Sequence, residues 1–199
     1  MELLIATKNA GKIKELTRLL ADSPIVLRSL NDFPNVSEPE ETGLTFQENA
    51  ALKAKSYALQ TGLRSLADDS GLEVEVLNGA PGIFSARYAG ENAGDAEKIQ
   101  KLLSEIAEKK SENRAARFVC SMVISDPHGR TEFFAEGVCD GKIALQPHGR
   151  NGFGYDPVFI PEGFSETFGE LSEAVKRKIS HRGRAAGKII EYLRAFIAS

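Results

Sequence analysis

Two segments with strand character, Arg117–Ser125 and Thr131–Cys139, are separated only by the turn around Asp126-Pro-His-Gly129. A parallel return would need a crossover of about a dozen residues, so this short connection forces an antiparallel hairpin. Helical patterns lie toward both ends of the chain. After a strand at Leu3–Thr7, the residues Ile13, Leu16, Leu19 and Leu20 share one helical face, and Ile189, Leu193, Phe196 and Ile197 do so near the C-terminus. Thr45-Phe-Gln-Glu48 has the form of a capping box and opens a helix that stops at Gly62. Asp95 is expected to cap a further helix with Ile99, Leu102, Leu103 and Ile106 turned inward. Helices at the ends around a mostly antiparallel middle predict an α/β (mixed α+β) sheet protein rather than a regular doubly wound one.

The chain has 199 residues, 42% hydrophobic and 27% charged, enough for one domain with its own core, or one domain folded as two lobes. A formal net charge of -3 gives no reason to expect a nucleic acid polymer or an anionic membrane as partner, so any anion site must be local. The apolar run in the opening MELLIATKN is far too short for a signal peptide or a spanning helix, and no later segment approaches membrane length. Cys120 and Cys139 have no metal-like spacing. The hairpin could set them face to face, so geometry does not forbid a bridge, but in a cytoplasmic protein they are expected as reduced, buried small residues.

Five local features carry chemistry. In Thr7-Lys-Asn-Ala-Gly-Lys12, at a strand–loop–helix junction, Lys8, Lys12 and Lys14 crowd a helix N-terminus. Cations are unfavourable there unless an anion such as phosphate binds among them. The alternative is a capped helix with solvated lysines. In the acidic loop 32–44, Glu40-Glu41 precedes a helix on which Asn49 and Lys53 lie one turn apart and share a face. Asp68-Asp69, in SLADDSGLEVEV, is expected in a turn between strands Ser65–Ala67 and Leu72–Leu77. An Asx turn needs one Asp, whereas a carboxylate pair holds Mg2+ near phosphate oxygens and is relieved of its repulsion by the metal. Gly152-Phe-Gly-Tyr-Asp156 offers a flexible backbone and a ring able to stack on a base, ahead of a short strand at Pro157–Ile160. Finally, Lys176 and Ser180-His-Arg-Gly183 supply donors suited to a base carbonyl, with Ser180 before the first turn of the last helix.

Six motifs in order, TxNxxK at Thr7–Lys12, EETGLTFxENAxLKA at Glu40–Ala54, ADDSGL at Ala67–Leu72, GAPGIxSARY at Gly79–Tyr88, FGYDP at Phe153–Pro157 and SHRG at Ser180–Gly183, resemble the inosine triphosphate pyrophosphatase family. The resemblance spans essentially the whole chain. It implies a single domain over 1–199, folded as two α/β lobes on an elongated mixed, largely antiparallel sheet, with substrate in a central cleft, and a homodimer. It implies Mg2+-dependent hydrolysis of ITP, dITP or XTP to the monophosphate and pyrophosphate, clearing deaminated purine nucleotides. By matching motif positions, Asp69 would be the general base and, with Glu41, a metal residue. Thr7, Lys8, Asn9, Ala10, Gly11, Lys12, Lys53 and Ser70 would contact phosphates or sugar. Phe153, Gly154, Tyr155, Asp156, Lys176, His181 and Arg182 would hold the base. Two readings compete. A septum-inhibition-type pyrophosphatase is opposed by ADDSGL, FGYDP and SHRG, and a non-catalytic nucleotide-binding module is opposed by the intact carboxylates at Glu41 and Asp69.

Overall fold

The computed structural model describes every residue except Asp22, Pro24 and Ser199. Its six strands form one mixed sheet in the order β2-β1-β3-β4-β5-β6: β1 (Glu2–Ile5), β2 (Val26–Ser29), β3 (Ser65–Val74), β4 (Ala115–Ser125), β5 (Thr131–Ile143) and β6 (Phe159–Pro161). The helices are α1 (Ala10–Leu19), α2 (Phe46–Thr61), α3 (Asp95–Glu108), α4 (Glu173–Ile179) and α5 (His181–Ala198). The chain divides into two compact units. Unit 1 comprises Met1–Asp69, Cys120–Gly137 and Arg182–Ser199; unit 2 comprises Ser70–Val119 and Val138–His181. The predicted mixed α/β class is therefore present.

In unit 1, β1 pairs parallel with both β2 and β3. Leu3, Leu4 and Ile5 are all buried, as a strand covered on both faces requires. The two-residue period of the strand sorts them. Leu3 and Ile5 pack with Leu16 and Leu20 of the α1 segment and with Ala185, Ile189 and Leu193 of α5. Leu4 packs on the other face with Ala50, Ala54 and Tyr57 of α2. The α2 boundaries follow the sequence signals: Thr45 Oγ1 accepts the Glu48 N–H at 3.1 Å, and Gly62 closes the helix at φ 69°. On α5, Ile189 and Leu193 are buried, whereas Phe196 and Ile197 are exposed. The expected inward stripe thus ends one turn early, and the Arg64 guanidinium sits over the Phe196 ring.

The hairpin turn forms as expected, with the Gly129 N–H bonded to the Asp126 carbonyl and the Asp126 N–H to that of Arg130. In unit 2, Ile99, Leu102 and Ile106 of α3 bury one stripe against Leu72 and Val74 of β3, Phe118 of β4 and the ring of Tyr155. β5 and β6 pair antiparallel.

Several boundaries differ from expectation: β1 ends at Ile5 rather than Thr7, and β5 runs past Cys139 to Ile143. β3 runs unbroken through Asp68, Asp69, Ser70 and Gly71 and ends at Val74, with Glu75–Leu77 forming a 3-10 turn. Charge predicted a break, but a strand needs only backbone pairing, and the cations described below offset the charges of the two acids. α3 is capped by Gly94, whose N–H donates to Glu97 at 2.7 Å; Asp95 is the first helical residue. The segment after the glycine-rich loop is a 3-10 turn, Asp156–Val158, and β6 begins only at Phe159, since Pro157 has no N–H to give a strand.

Candidate functional site

The period that sorts β1 also sorts the acid doublet. Leu66 belongs to the cluster facing α1 and α5, Ala67 to the cluster facing α2. Two residues on, Asp68 and Asp69 fall on the same two faces. Each meets the cations of its own helical layer.

On the first face, Asp68 Oδ2 accepts from Arg182 Nη2 at 3.0 Å and Nε at 3.3 Å, and lies 3.1 Å from Lys12 Nζ. Arg182 Nη1 donates to Glu15 Oε2 at 2.6 Å. Burial opposes ionisation of Asp68, but Lys12 and Arg182 outweigh it and hold its pKa well below the ordinary carboxylate range. The Cys120 thiol, 3.8 Å from the same oxygen, is pushed far up by burial and by Asp68. It is an inert filler beside the ion cluster, and both cysteines are buried free thiols as expected.

On the second face, Lys53 Nζ donates to Asp69 Oδ1 at 2.8 Å and to Glu41 Oε1 at 3.0 Å. Asp69 Oδ2 is buried with no hydrogen-bond partner among the described residues. Burial raises the Asp69 pKa despite the opposing charges of Lys53 and Lys12. Burial opposes protonation of Lys53, yet Asp69 and Glu41 outweigh it and raise its pKa, so the ammonium is a fixed charge. The acidic loop is anchored by a bond that charge alone does not announce: Asn49 Oδ1 accepts the Gly43 N–H at 2.8 Å. A Cβ on Gly43 would lie 2.7 Å from that oxygen and 2.9 Å from the Asn49 backbone nitrogen, so the close approach of the loop to α2 requires glycine here.

The Thr7–Lys12 junction is a built N-terminus. Thr7 Oγ1 accepts the Asn9 N–H at 3.2 Å and Asn9 Oδ1 accepts the Lys12 N–H at 3.0 Å, with Ala10 and Gly11 in the first turn of α1. Lys8 pairs with Glu38 at the surface, both side chains more than half exposed, as the solvated alternative for that residue describes.

In unit 2, Asp156 organises the glycine-rich loop. Its Oδ2 accepts the Phe153 N–H at 2.8 Å and Lys176 Nζ at 2.5 Å. The Lys176 ammonium lies 5.1 Å from the centroid of the Phe153 ring. Gly152, at φ 75°, has no alternative, because a Cβ there would come 1.9 Å from Asp156 Oδ2. Tyr155 donates its hydroxyl proton to the Ser85 carbonyl at 3.0 Å, and the His181 ring stacks on Phe118 with centroids 4.6 Å apart. Ser70 directly follows Asp69 in β3.

The residues singled out in the sequence therefore fall into two sets. Thr7–Lys12, Glu41, Lys53, Asp69 and Arg182 belong to unit 1; Ser70, Phe153–Asp156, Lys176 and His181 belong to unit 2. Arg182, expected among the base-holding donors, has its guanidinium committed to Asp68 and Glu15 within unit 1. Glu15 was not legible as a partner, although its position three residues after Lys12 places both on one side of α1. A cavity of about 670 Å³ in unit 2, lined by Arg114, Lys142, His148, Thr167 and Glu170 among others, contains none of these residues, so size alone does not mark the chemistry.

Among the described residues no group of three or more His, Cys, Asp or Glu forms a ready-made metal cage. Glu41 and Asp69, brought to one ammonium and leaving Asp69 Oδ2 without a partner among the described residues, fit an ion that takes one or two protein carboxylates and completes its shell with phosphates and water, as Mg2+ does.

The Ham1 family model matches residues 3–192. A Bacillus anthracis protein named dITP/XTP pyrophosphatase is 46% identical over 191 residues, covering 96% of this chain and 95% of that protein. Among solved structures, a HAM1 protein from Coxiella burnetii superposes with a TM-score of 0.90 at 43% identity, covering 98% of this chain and 99% of its own. The Staphylococcus aureus Ham1 protein gives 0.86 at 40% identity, with 98% and 99% covered.

Proposed function

The chain belongs to the Ham1 family, and on that premise we propose that it is a Mg2+-dependent pyrophosphatase hydrolysing dITP, ITP and XTP to the monophosphate and pyrophosphate. The observation that carries this reading is Asp69: a buried carboxylate with one oxygen held by Lys53 and the other without a partner among the described residues. Cleavage between the α- and β-phosphates needs a water in line with the α-phosphorus and a group to take its proton. Asp69 Oδ2 is the acceptor in this reading. Its raised pKa makes it a better base than an ordinary Asp, while Lys53 keeps it ionised at neutral pH. Glu41 and Asp69 would hold Mg2+, which when bound would supply charge neutralisation on the phosphate oxygens. The α1 N-terminus from Thr7 to Lys12, with Lys53 and Ser70, binds the phosphates and sugar.

Base recognition falls to Phe153–Asp156, Lys176 and His181, while the Arg182 guanidinium stays with Asp68 and Glu15. ITP and XTP carry a carbonyl at purine C6 where adenine carries an amino group. Donors such as Lys176 bond the carbonyl, whereas an amino group leaves them unpaired at a cost of about 1–3 kcal/mol each. The same reading makes the protein a cytoplasmic homodimer that removes deaminated purine nucleotides from the precursor pool, with neither a nucleic acid polymer nor a membrane as partner. No helix among the described residues is long and apolar enough to cross a membrane.

The test is a panel of nucleoside triphosphates in Mg2+ with product identification. ITP, dITP and XTP should give pyrophosphate, with ATP much slower. Orthophosphate as the first product, or equal rates on ATP, rejects the reading.

A further inference from the structure

The Phe153–Asp156 loop is held from two directions. Asp156, inside the loop, accepts the Phe153 N–H. The next amide is taken from outside: Asp95 Oδ2 accepts the Gly154 N–H at 2.6 Å. Asp95 is the first residue of α3, and its other oxygen, Oδ1, lies 2.7 Å from Lys98 Nζ one turn along. The body of α3 is fixed independently, since Ile99, Leu102 and Ile106 are buried in the cluster that also contains Tyr155. The helix thus offers a rigid platform, and the Asp95 carboxylate is the polar link from its end to the loop backbone. Gly154 sits at φ 62°, in the left-handed region, and carries no side chain to pack, so its amide is one of the few handles on this stretch. Burial of Asp95 opposes ionisation, but Lys98 and the Gly154 N–H outweigh it and lower its pKa, which keeps the acceptor charged at neutral pH.

We propose that Asp95 is a positioning residue for nucleotide recognition: by holding the Gly154 N–H it fixes the backbone that presents Phe153 to the purine. Its carboxylate accepts the Gly154 N–H and pairs with Lys98. The inference rests on the base-recognition role given above to the Phe153–Asp156 loop.

The experiment compares Asp95→Ala, Asp95→Asn and Lys98→Ala in the full chain. Asp95→Ala removes the acceptor and should raise KM for ITP about fivefold with kcat within about twofold, the size of effect a single hydrogen bond supports. Asp95→Asn keeps an oxygen for the Gly154 N–H and should restore most of the affinity. Lys98→Ala removes the ion pair but not the link to the loop, and should leave KM unchanged. Used as product inhibitors, inosine monophosphate should weaken in Asp95→Ala while pyrophosphate does not. An unchanged KM in Asp95→Ala, an equal loss in Lys98→Ala, or parallel weakening of both products overturns the proposal, because general helix destabilisation would then explain the data. Hydrogen exchange at the Gly154 amide separates this failure from failure of the enzymatic reading. Even if the wild type hydrolyses no nucleoside triphosphate, exchange should be faster in Asp95→Ala and near wild type in Asp95→Asn. Unchanged exchange in Asp95→Ala refutes the link directly.

Discussion

Lys53 holds only one of the two oxygens of Asp69, donating to Oδ1 at 2.8 Å and leaving Oδ2 buried without a partner among the described residues. The ammonium therefore fixes the charge of the carboxylate without occupying its second acceptor. Removing it by Lys53→Met takes away a charge that lowers the Asp69 pKa, so that pKa, already raised by burial, climbs further. The acid limb of the kcat/KM profile should move to higher pH. An acid limb that stays in place in Lys53→Met would falsify the pairing of these two residues as the source of the ionised base.

Asp69→Asn should lower kcat on ITP by about 10²–10⁴-fold, the range expected for loss of a general base. The fold should survive. An Asp whose folded pKa is raised contributes stability only below its ordinary value and loses it as pH rises through the folded one. At neutral pH the variant gives up the Lys53–Asp69 pair but relieves the buried charge of Asp69 and leaves Lys53 its second partner, Glu41, so the melting temperature should fall only modestly. A large drop in melting temperature, or near wild-type turnover, contradicts the assignment.

Asp68 should behave in the opposite sense. Asp68→Asn leaves Lys12 and Arg182 in a buried site without their shared counter-charge, with an expected loss of about 3 kcal/mol in urea unfolding. The folded pKa lies below the ordinary 3.8, so the stabilisation is complete above that value and drains away as pH falls through the lower folded one. The wild type should therefore lose more stability than the variant below about pH 4. Parallel pH–stability curves for the two proteins would exclude Asp68 as the linked group.

Gly152→Ala places a methyl group where Asp156 Oδ2 now lies, at a backbone φ of 75°. Asp156 must move, releasing the Phe153 N–H and Lys176 together. The variant should lose about 1–3 kcal/mol of stability from strain and raise KM for ITP more than tenfold, measured by urea unfolding and initial rates. An unaltered KM would show that the Asp156–Lys176 pair is not needed for base recognition.

Much of the fold was legible because it depends on local signals. The short turn at Asp126–Gly129, the caps at Thr45 and Gly62, and the α3 stripe of Ile99, Leu102 and Ile106 each form where periodicity and turn chemistry place them. β3 was misread, because a carboxylate doublet looks like a turn until the partners of each acid are known. Lys12, Lys53 and Arg182 lie 56, 16 and 114 residues away from the acids they meet. Nothing in the chain nearby announces them. The same distance hid Glu15 beside Arg182 and Asp95 beside Gly154, since each is an ordinary surface acid on its own helix until the backbone folds. The parallel pairing of β1 with β2 and β3 also escaped a reading centred on the hairpin.

The pleat of β3 makes the identity of each acid a matter of parity. Deleting or inserting a single residue between Leu66 and Asp68 would exchange the two environments, giving the guanidinium layer to one carboxylate and the α2 ammonium to the other. Substitution can tune this site gradually, but an indel in this strand cannot. The spacing from β3's first core contacts to its doublet is therefore an all-or-nothing property of the chain.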